Sequence, residues 1–102
     1  MYRARDAVDQ AEWLAELDRA ADRLDLGSDA RSNARDLFLS MAPDGDRSKR
    51  AVLAASLYAG ALIAGDGRSQ GAVADAMGVA RLTIQQRWKN VLEEAGLEPP
   101  GW

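Results

Sequence analysis

Residues 51–64 read AVLAASLYAGALIA, and this stretch decides the fold. Its residues are apolar or small, so a helix that contains it is apolar on every side. Such a helix is buried, with other helices packed around it. Its 14 residues are fewer than the roughly 20 that cross a bilayer. We therefore predict a central helix at about residues 47–64 of an all-α domain.

Two amphipathic helices precede the central helix. In both of them apolar residues recur every three or four positions, as in a helix with one buried face. The first is predicted at about residues 6–24 with Gly27 as its stop, and the second follows an N-cap at Ser28 and ends at Met41. Residues 43–46, Pro-Asp-Gly-Asp, then interrupt the helical pattern. The predicted buried stripes are Val8, Ala11, Leu14, Leu17, Ala21 and Leu24 in the first helix, and Ala30, Ala34, Leu37, Phe38 and Met41 in the second.

Two further helices follow the turn at residues 65–67. Ser69 is the predicted N-cap of the fourth helix and Gly78 its stop, and the fifth covers about residues 80–95. Nothing in the chain alternates as a strand does. The predicted buried face of the fifth helix consists of Ile84, Trp88, Val91 and Ala95. The predicted organisation is a flexible segment at residues 1–5, one five-helix domain at 6–95 and a tail at 96–102.

The chain has no cysteine and no histidine among its 102 residues. This excludes disulfides, thiolate or imidazole metal ligands, and Ser-His or Cys-His nucleophile pairs. The acidic pairs Asp44/Asp46 and Glu93/Glu94 are better explained by a solvated loop and a charged helix end than by metal binding. We expect a protein that is not an enzyme and needs no metal or cofactor. The lack of a membrane-spanning run and of a signal-peptide start predicts a cytoplasmic location.

The formal net charge of −3 is unevenly distributed. Residues 1–46 carry six arginines against eleven acidic residues, whereas residues 47–92 carry seven basic residues against two acidic ones. The respective net charges are −5 and +5, so an anion is expected to bind the second region. Eleven of the 13 basic residues are arginine and eleven of the 16 acidic ones are aspartate. This usage is typical of a GC-rich genome or of a high-salt cytoplasm, and both interpretations stay open.

Residues 69–95 have the spacing of a helix-turn-helix. Ala74 is small enough for a close helix crossing, Gly78 tolerates the turn, and Ile84 anchors the second helix. The outward side of that helix carries amide and apolar groups, which suit adenine and the thymine methyl group. The predicted DNA contacts are Arg68, Ser69, Gln70, Arg81, Leu82, Thr83, Gln85, Gln86 and Lys89. The alternative is a helical hairpin with a solvated face and no role in DNA binding.

Several short segments occur in the order and spacing of a known repeat. They are Arg47-Ser48, Ala54-Ala55-Ser56-Leu57-Tyr58-Ala59, Arg68-Ser69-Gln70, Val73-Ala74, Gly78-Val79, Leu82-Thr83-Ile84 and Arg87-Trp88-Lys89. Through them, residues 32–95 resemble one cyclin-like repeat of archaeal transcription factor B, the relative of eukaryotic transcription factor IIB. The resemblance implies a five-helix cyclin-like fold whose third helix is central. It also implies that Leu82, Thr83 and Gln85 face the promoter element beside the TATA box.

The sequence departs from that family in two local features and one global one. Gln85 occupies the position of an arginine that reads guanine, and Ala80 replaces a Ser or Thr helix cap. Only one repeat is present, without a zinc ribbon or a polymerase-binding linker. We therefore expect that this chain does not perform the full initiation function.

The sequence thus predicts a DNA-binding transcription regulator. Its expected partners are double-stranded promoter DNA, the TATA-binding protein or another transcription protein, and a second copy of the chain as a homodimer. No membrane partner is expected. The alternative is a protein-interaction adaptor that uses the acidic first half of the chain and does not bind DNA.

Overall fold

The computed structural model describes the backbone of residues 4–41 and 46–97, and the side chains of residues 10–41 and 49–97. Within these ranges the chain forms five α-helices and no strand: α1 Ala4–Arg23, α2 Ser28–Met41, α3 Asp46–Ile63, α4 Gln70–Met77 and α5 Arg81–Glu94. The predicted all-α class is confirmed. Some of the predicted features lie outside the described residues. They are the tail at residues 98–102, the break at residues 43–45 and the side chains of Arg47 and Ser48.

Helix α3 is the centre of the domain. Every residue from Ala51 to Ala61 is buried, and α3 packs against each of the other four helices. At Gly60 a Cβ atom would lie 2.6 Å from the backbone nitrogen of Ala34 on α2. The glycine thus permits a backbone-to-backbone approach between α2 and α3, which a side chain would prevent. The predicted central helix is confirmed.

The buried face of α1 differs in part from the predicted stripe. Leu17, Ala21 and Leu24 are buried as expected, whereas Ala11 is exposed and Leu14 is only half-buried. Ala20, which the prediction omitted, is fully buried. The side chain of Val8 lies outside the described residues. Among the described side chains of α1, the fully buried ones are Leu17, Ala20 and Ala21.

The turn between α1 and α2 also differs from the prediction. Helix α1 ends at Arg23, and the residue in the left-handed conformation is Asp25, with φ 55°, because short polar side chains tolerate that region. The N–H of Leu26 donates to the carbonyl of Ala21 at 3.0 Å, which closes the helix end in the manner of a Schellman turn. Gly27 is therefore not the stop of α1.

Gly27 instead opens α2. Its carbonyl accepts a hydrogen bond from the Arg31 N–H at 3.2 Å, so Gly27, and not Ser28, occupies the N-cap position. Its own N–H donates to a carboxylate oxygen of Asp66 at 2.8 Å. The glycine therefore connects the α1–α2 turn to the loop between α3 and α4.

Candidate functional site

A short turn joins α4 to α5 at the place of the predicted helix-turn-helix. The Ser69 hydroxyl accepts a hydrogen bond from the Ala72 N–H at 3.0 Å and caps α4. Gly78 ends α4 in the left-handed conformation, with φ 68°, and the N–H of Val79 donates to the carbonyl of Ala74 at 3.0 Å. Ala74 is buried at the crossing. The predicted cap at Ser69 and the predicted stop at Gly78 are confirmed.

The inner face of α5 fixes this helix to the core. Ile84, Trp88 and Val91 are buried as predicted, and the Trp88 ring meets the Tyr58 ring of α3 edge-on, with centroids 5.4 Å apart. Leu92 is also fully buried, although the sequence analysis did not include it. It lies four residues after Trp88 and so belongs to the same helical stripe. Ala80 provides no side-chain hydrogen bond to cap the helix, in agreement with the departure noted in the sequence.

The outer side of α5 carries most of the predicted DNA-contact residues. Arg81, Gln85, Gln86 and Lys89 are exposed and Thr83 is half-buried. Leu82 is 57% exposed, the largest value among the large apolar residues that the structure describes. Leu82, Gln85 and Lys89 follow the i, i+3, i+7 spacing of one helix face. We call these three residues the reading row.

Three other residues of α5 line a cleft beside the reading row. Thr83, Gln86 and Arg87 follow the i, i+3, i+4 spacing and face Arg50 and Ala51 of α3. The cleft has a volume of ≈ 430 Å³ and is completed by Val79 and Ala80 of the turn. Two of the predicted DNA contacts, Thr83 and Gln86, therefore line the cleft.

The cleft contains two arginines that the sequence analysis did not assign to the site. The guanidinium of Arg50 donates to the carbonyl of Met77 at 3.2 Å and lies 5.3 Å from the ring centre of Trp13 on α1. Arg87 is exposed. The position of Arg87, three residues after the buried anchor Ile84, was the one signal in the sequence that could have pointed to it.

Glu16 of helix α1 also contacts Arg50. A carboxylate oxygen of Glu16 lies 3.6 Å from Arg50, and Glu16 also pairs with Arg19. Arg19, and after it Arg50, lower the pKa of Glu16 despite the opposing effect of burial. Glu16 therefore stays charged at neutral pH and holds both guanidinium groups.

Arg68 lies away from the reading row and has a role in the fold. Its guanidinium donates to the carbonyls of Leu24 at 2.9 Å and Asp25 at 3.0 Å, and to the Asp66 carboxylate at 2.9 Å. These bonds fasten the α1–α2 turn to the loop before α4. The Gly27 N–H, followed by Arg68, lowers the pKa of Asp66. The phosphate contact predicted for Arg68 stays a prediction.

Ser69 and Gln70 stand at the start of α4. Ser69 is exposed and Gln70 is half-buried. Because the Ser69 hydroxyl already accepts the capping hydrogen bond, the group that it has left to offer a phosphate is its own O–H donor. The predicted DNA contacts of Ser69 and Gln70 stay predictions.

Across residues 4–41 and 46–97, no three or more acidic side chains come together in a group able to hold a metal ion. None of the helices described in those ranges is both long and apolar enough to cross a membrane.

Comparisons with known proteins identify the family. The sequence model of the family described as the transcription factor TFIIB repeat matches residues 7–94 of this chain. Transcription initiation factor IIB 1 of Thermoplasma volcanium is 33% identical over 84 residues, which cover 79% of this chain and 27% of that protein. Transcription initiation factor IIB of Haloarcula vallismortis is 29% identical over 95 residues, which cover 90% of this chain and 81% of that protein. The corresponding factor of Pyrococcus abyssi is 29% identical over 87 residues, or 82% of this chain and 29% of that protein.

The matched segment covers most of this chain but only a small part of most of these relatives. The chain spans less than a third of the length of the Thermoplasma and Pyrococcus proteins. The matched residues 7–94 include α2 to α5 and most of α1, so the five-helix architecture is the cyclin-like fold that the resemblance implied. The chain belongs to the transcription factor TFIIB repeat family.

Proposed function

We propose that the chain is a sequence-specific, double-stranded-DNA-binding transcription regulator related to transcription factor B, and that α5 enters the major groove. The observation that carries the proposal is the reading row. It presents an apolar group, an amide and an ammonium group on one exposed face of a helix whose opposite face is fixed in the core. These are the chemical groups that contact thymine methyl groups, adenine edges and phosphates.

The exposure of Leu82 supports base contacts in particular. The large apolar side chain of Leu82, on the first turn of α5, is more than half exposed to solvent. In the major groove the same side chain would bury apolar surface against a thymine methyl group. Gln85 lies one helical turn further along, where its amide can donate to and accept from adenine.

The family and the charge distribution support a role in transcription. The relatives from Thermoplasma, Haloarcula and Pyrococcus are transcription initiation factors. We propose that this domain acts at promoters, together with the TATA-binding protein or another transcription protein. A homodimer and a cytoplasmic location are part of the same proposal. The net charge of +5 in residues 47–92 gives the DNA-facing half the sign that phosphate binding needs.

The test is selection of preferred sequences from a random duplex library, followed by binding of the selected and a shuffled duplex. The expected result is an enriched sequence whose preference depends on the reading row. Leu82→Ala should then reduce the discrimination between the two duplexes, by at most the roughly 1–3 kcal/mol that one mismatched base pair costs. Leu39→Ala is the matched control, because Leu39 is an exposed leucine on α2. Failure to enrich any sequence would contradict the proposal.

A second candidate function, a protein adaptor that does not bind DNA, is favoured by one feature of α1. Glu12, Trp13 and Glu16 line a second cleft of ≈ 320 Å³, together with Ala15, Arg19 and Arg50. A basic side chain of a partner could contact the carboxylates and the indole ring there. Binding of a purified TATA-binding protein that is lost in Trp13→Ala, combined with no binding of any duplex, would favour the adaptor.

A further inference from the structure

The cleft beside the reading row lies where a DNA strand would border α5. Thr83, Gln86 and Arg87 line it from α5, and Arg50 lines it from α3. In a helix bound in the major groove, the residues on its flanks come close to the sugar-phosphate backbone while its outermost residues meet the bases. If α5 enters the major groove, a cleft on its flank is therefore suited to a contact with the DNA backbone.

The electrostatics of the cleft favour an anion. Two guanidinium groups line it and no acidic side chain does. Among residues 10–41 and 49–97, no hydrogen bond or ion pair engages Arg87. An exposed arginine of this kind keeps all its donors, and its planar fork matches a phosphate in a bidentate geometry.

Arg50 forms the fixed wall of the cleft. The Trp13 ring, the Met77 carbonyl and the Glu16 carboxylate hold its guanidinium in place. Glu16 offsets part of this charge, since it lies 3.6 Å from Arg50. Arg87 is therefore the stronger of the two anion ligands, and Arg50 adds a positive charge that needs little reorganisation to act.

We propose that this cleft binds a backbone phosphate of the DNA strand that borders α5, an inference that rests on the proposed DNA-binding function. Arg87 is the principal ligand and Arg50 a second source of positive charge. The Thr83 hydroxyl and the Gln86 amide are the additional hydrogen-bond donors that line the cleft. The contact supplies affinity that does not depend on sequence, whereas the reading row supplies the discrimination between sequences.

The experiment measures the salt dependence of duplex binding for wild type and Arg87→Gln. Loss of one phosphate contact lowers the slope of log K against log salt by about 0.9. Arg87→Gln should show this decrease and should weaken the binding of selected and shuffled duplexes by the same factor. Arg35→Gln is the matched control, since it removes an exposed arginine from α2 and should leave the slope unchanged. Equal melting temperatures of the three proteins would show that the fold is intact.

The outcomes separate this inference from the proposed function. If Leu82→Ala loses discrimination while Arg87→Gln keeps the wild-type slope, the DNA-reading function stands and the phosphate cleft is wrong. If no sequence is preferred but Arg87→Gln lowers the slope, the cleft stands and sequence reading is wrong. If Arg87→Gln binds duplexes like wild type and instead loses binding to a polyglutamate peptide, the ligand is an acidic protein segment and the inference is overturned. Wild-type protein that binds no duplex overturns both.

Discussion

The arginines of α1 and α2 differ from those of α5 in what they contact. On the first two helices Arg19 pairs with Glu16, Arg31 with Asp22 and Arg35 with Asp18. On α5 no ion pair within the described residues engages Arg81 or Arg87. These three arginines of α1 and α2 are thus engaged within the protein, whereas Arg81 and Arg87 of α5 are available for a ligand. The net charge of −3 does not reveal this difference. We assign the DNA-binding capacity to α5, whose arginines are not engaged within the described part of the chain.

The largest expected effect concerns how α5 is fixed to the core. Trp88→Ala removes a buried indole and its contact with Tyr58, and should lower the free energy of unfolding by about 3–5 kcal/mol. Leu82→Ala, on the exposed side of the same helix, should change it by less than about 0.5 kcal/mol. Urea unfolding followed by circular dichroism measures both. Similar losses in the two variants would show that the reading row is also part of the core.

A smaller loss of stability is expected where the loop before α4 contacts the α1–α2 turn through Arg68. Arg68→Gln removes hydrogen bonds to the carbonyls of Leu24 and Asp25 and should destabilise the domain by about 1–3 kcal/mol. Arg35→Gln, which breaks one exposed ion pair, should cost about 0–1 kcal/mol. Urea unfolding at neutral pH distinguishes them. If the two variants are equally stable, the hydrogen bonds of Arg68 do not stabilise the fold.

The smallest effect is a change in the pH dependence of stability. The Gly27 N–H and Arg68 lower the pKa of Asp66 in the folded protein. A lowered pKa stabilises the fold above the pKa of the unfolded chain, about 3.9, and this contribution is lost as the pH falls through the folded-state pKa. Asp66→Asn should therefore flatten the decrease in melting temperature below about pH 4. A decrease as steep as in wild type would show that Asp66 contributes nothing there.

Local features of the fold were predictable from the sequence. The burial of α3 follows from a continuous apolar stretch, and the ends of α4 follow from Ser69 and Gly78, whose effect is confined to neighbouring residues. The turn after α1 was missed because two residues, Asp25 and Gly27, tolerate unusual backbone conformations. The sequence could not show that Asp66 would engage Gly27 from the far side of the loop.

The candidate site was predictable only on α5. The 3.6-residue period of a helix predicts which residues form the outer face of α5, including Leu82 and Lys89. This works because all of these residues lie on one helix. The cleft was missed because it also needs Arg50, which is placed by contacts with Trp13 and Met77 from other helices. The structural role of Arg68 was missed for the same reason, since the carbonyls of Leu24 and Asp25 that it contacts lie more than 40 residues away in the chain.

The central claim is that α5 and the cleft beside it bind DNA while the acidic helices do not. Titration of the isotope-labelled domain with the selected duplex, followed by amide NMR, tests it most directly. We expect chemical-shift changes from Val79 to Asn90 and around Arg50, with little change in α2. Changes confined to α1 and α2, or no change at saturating duplex, would contradict it.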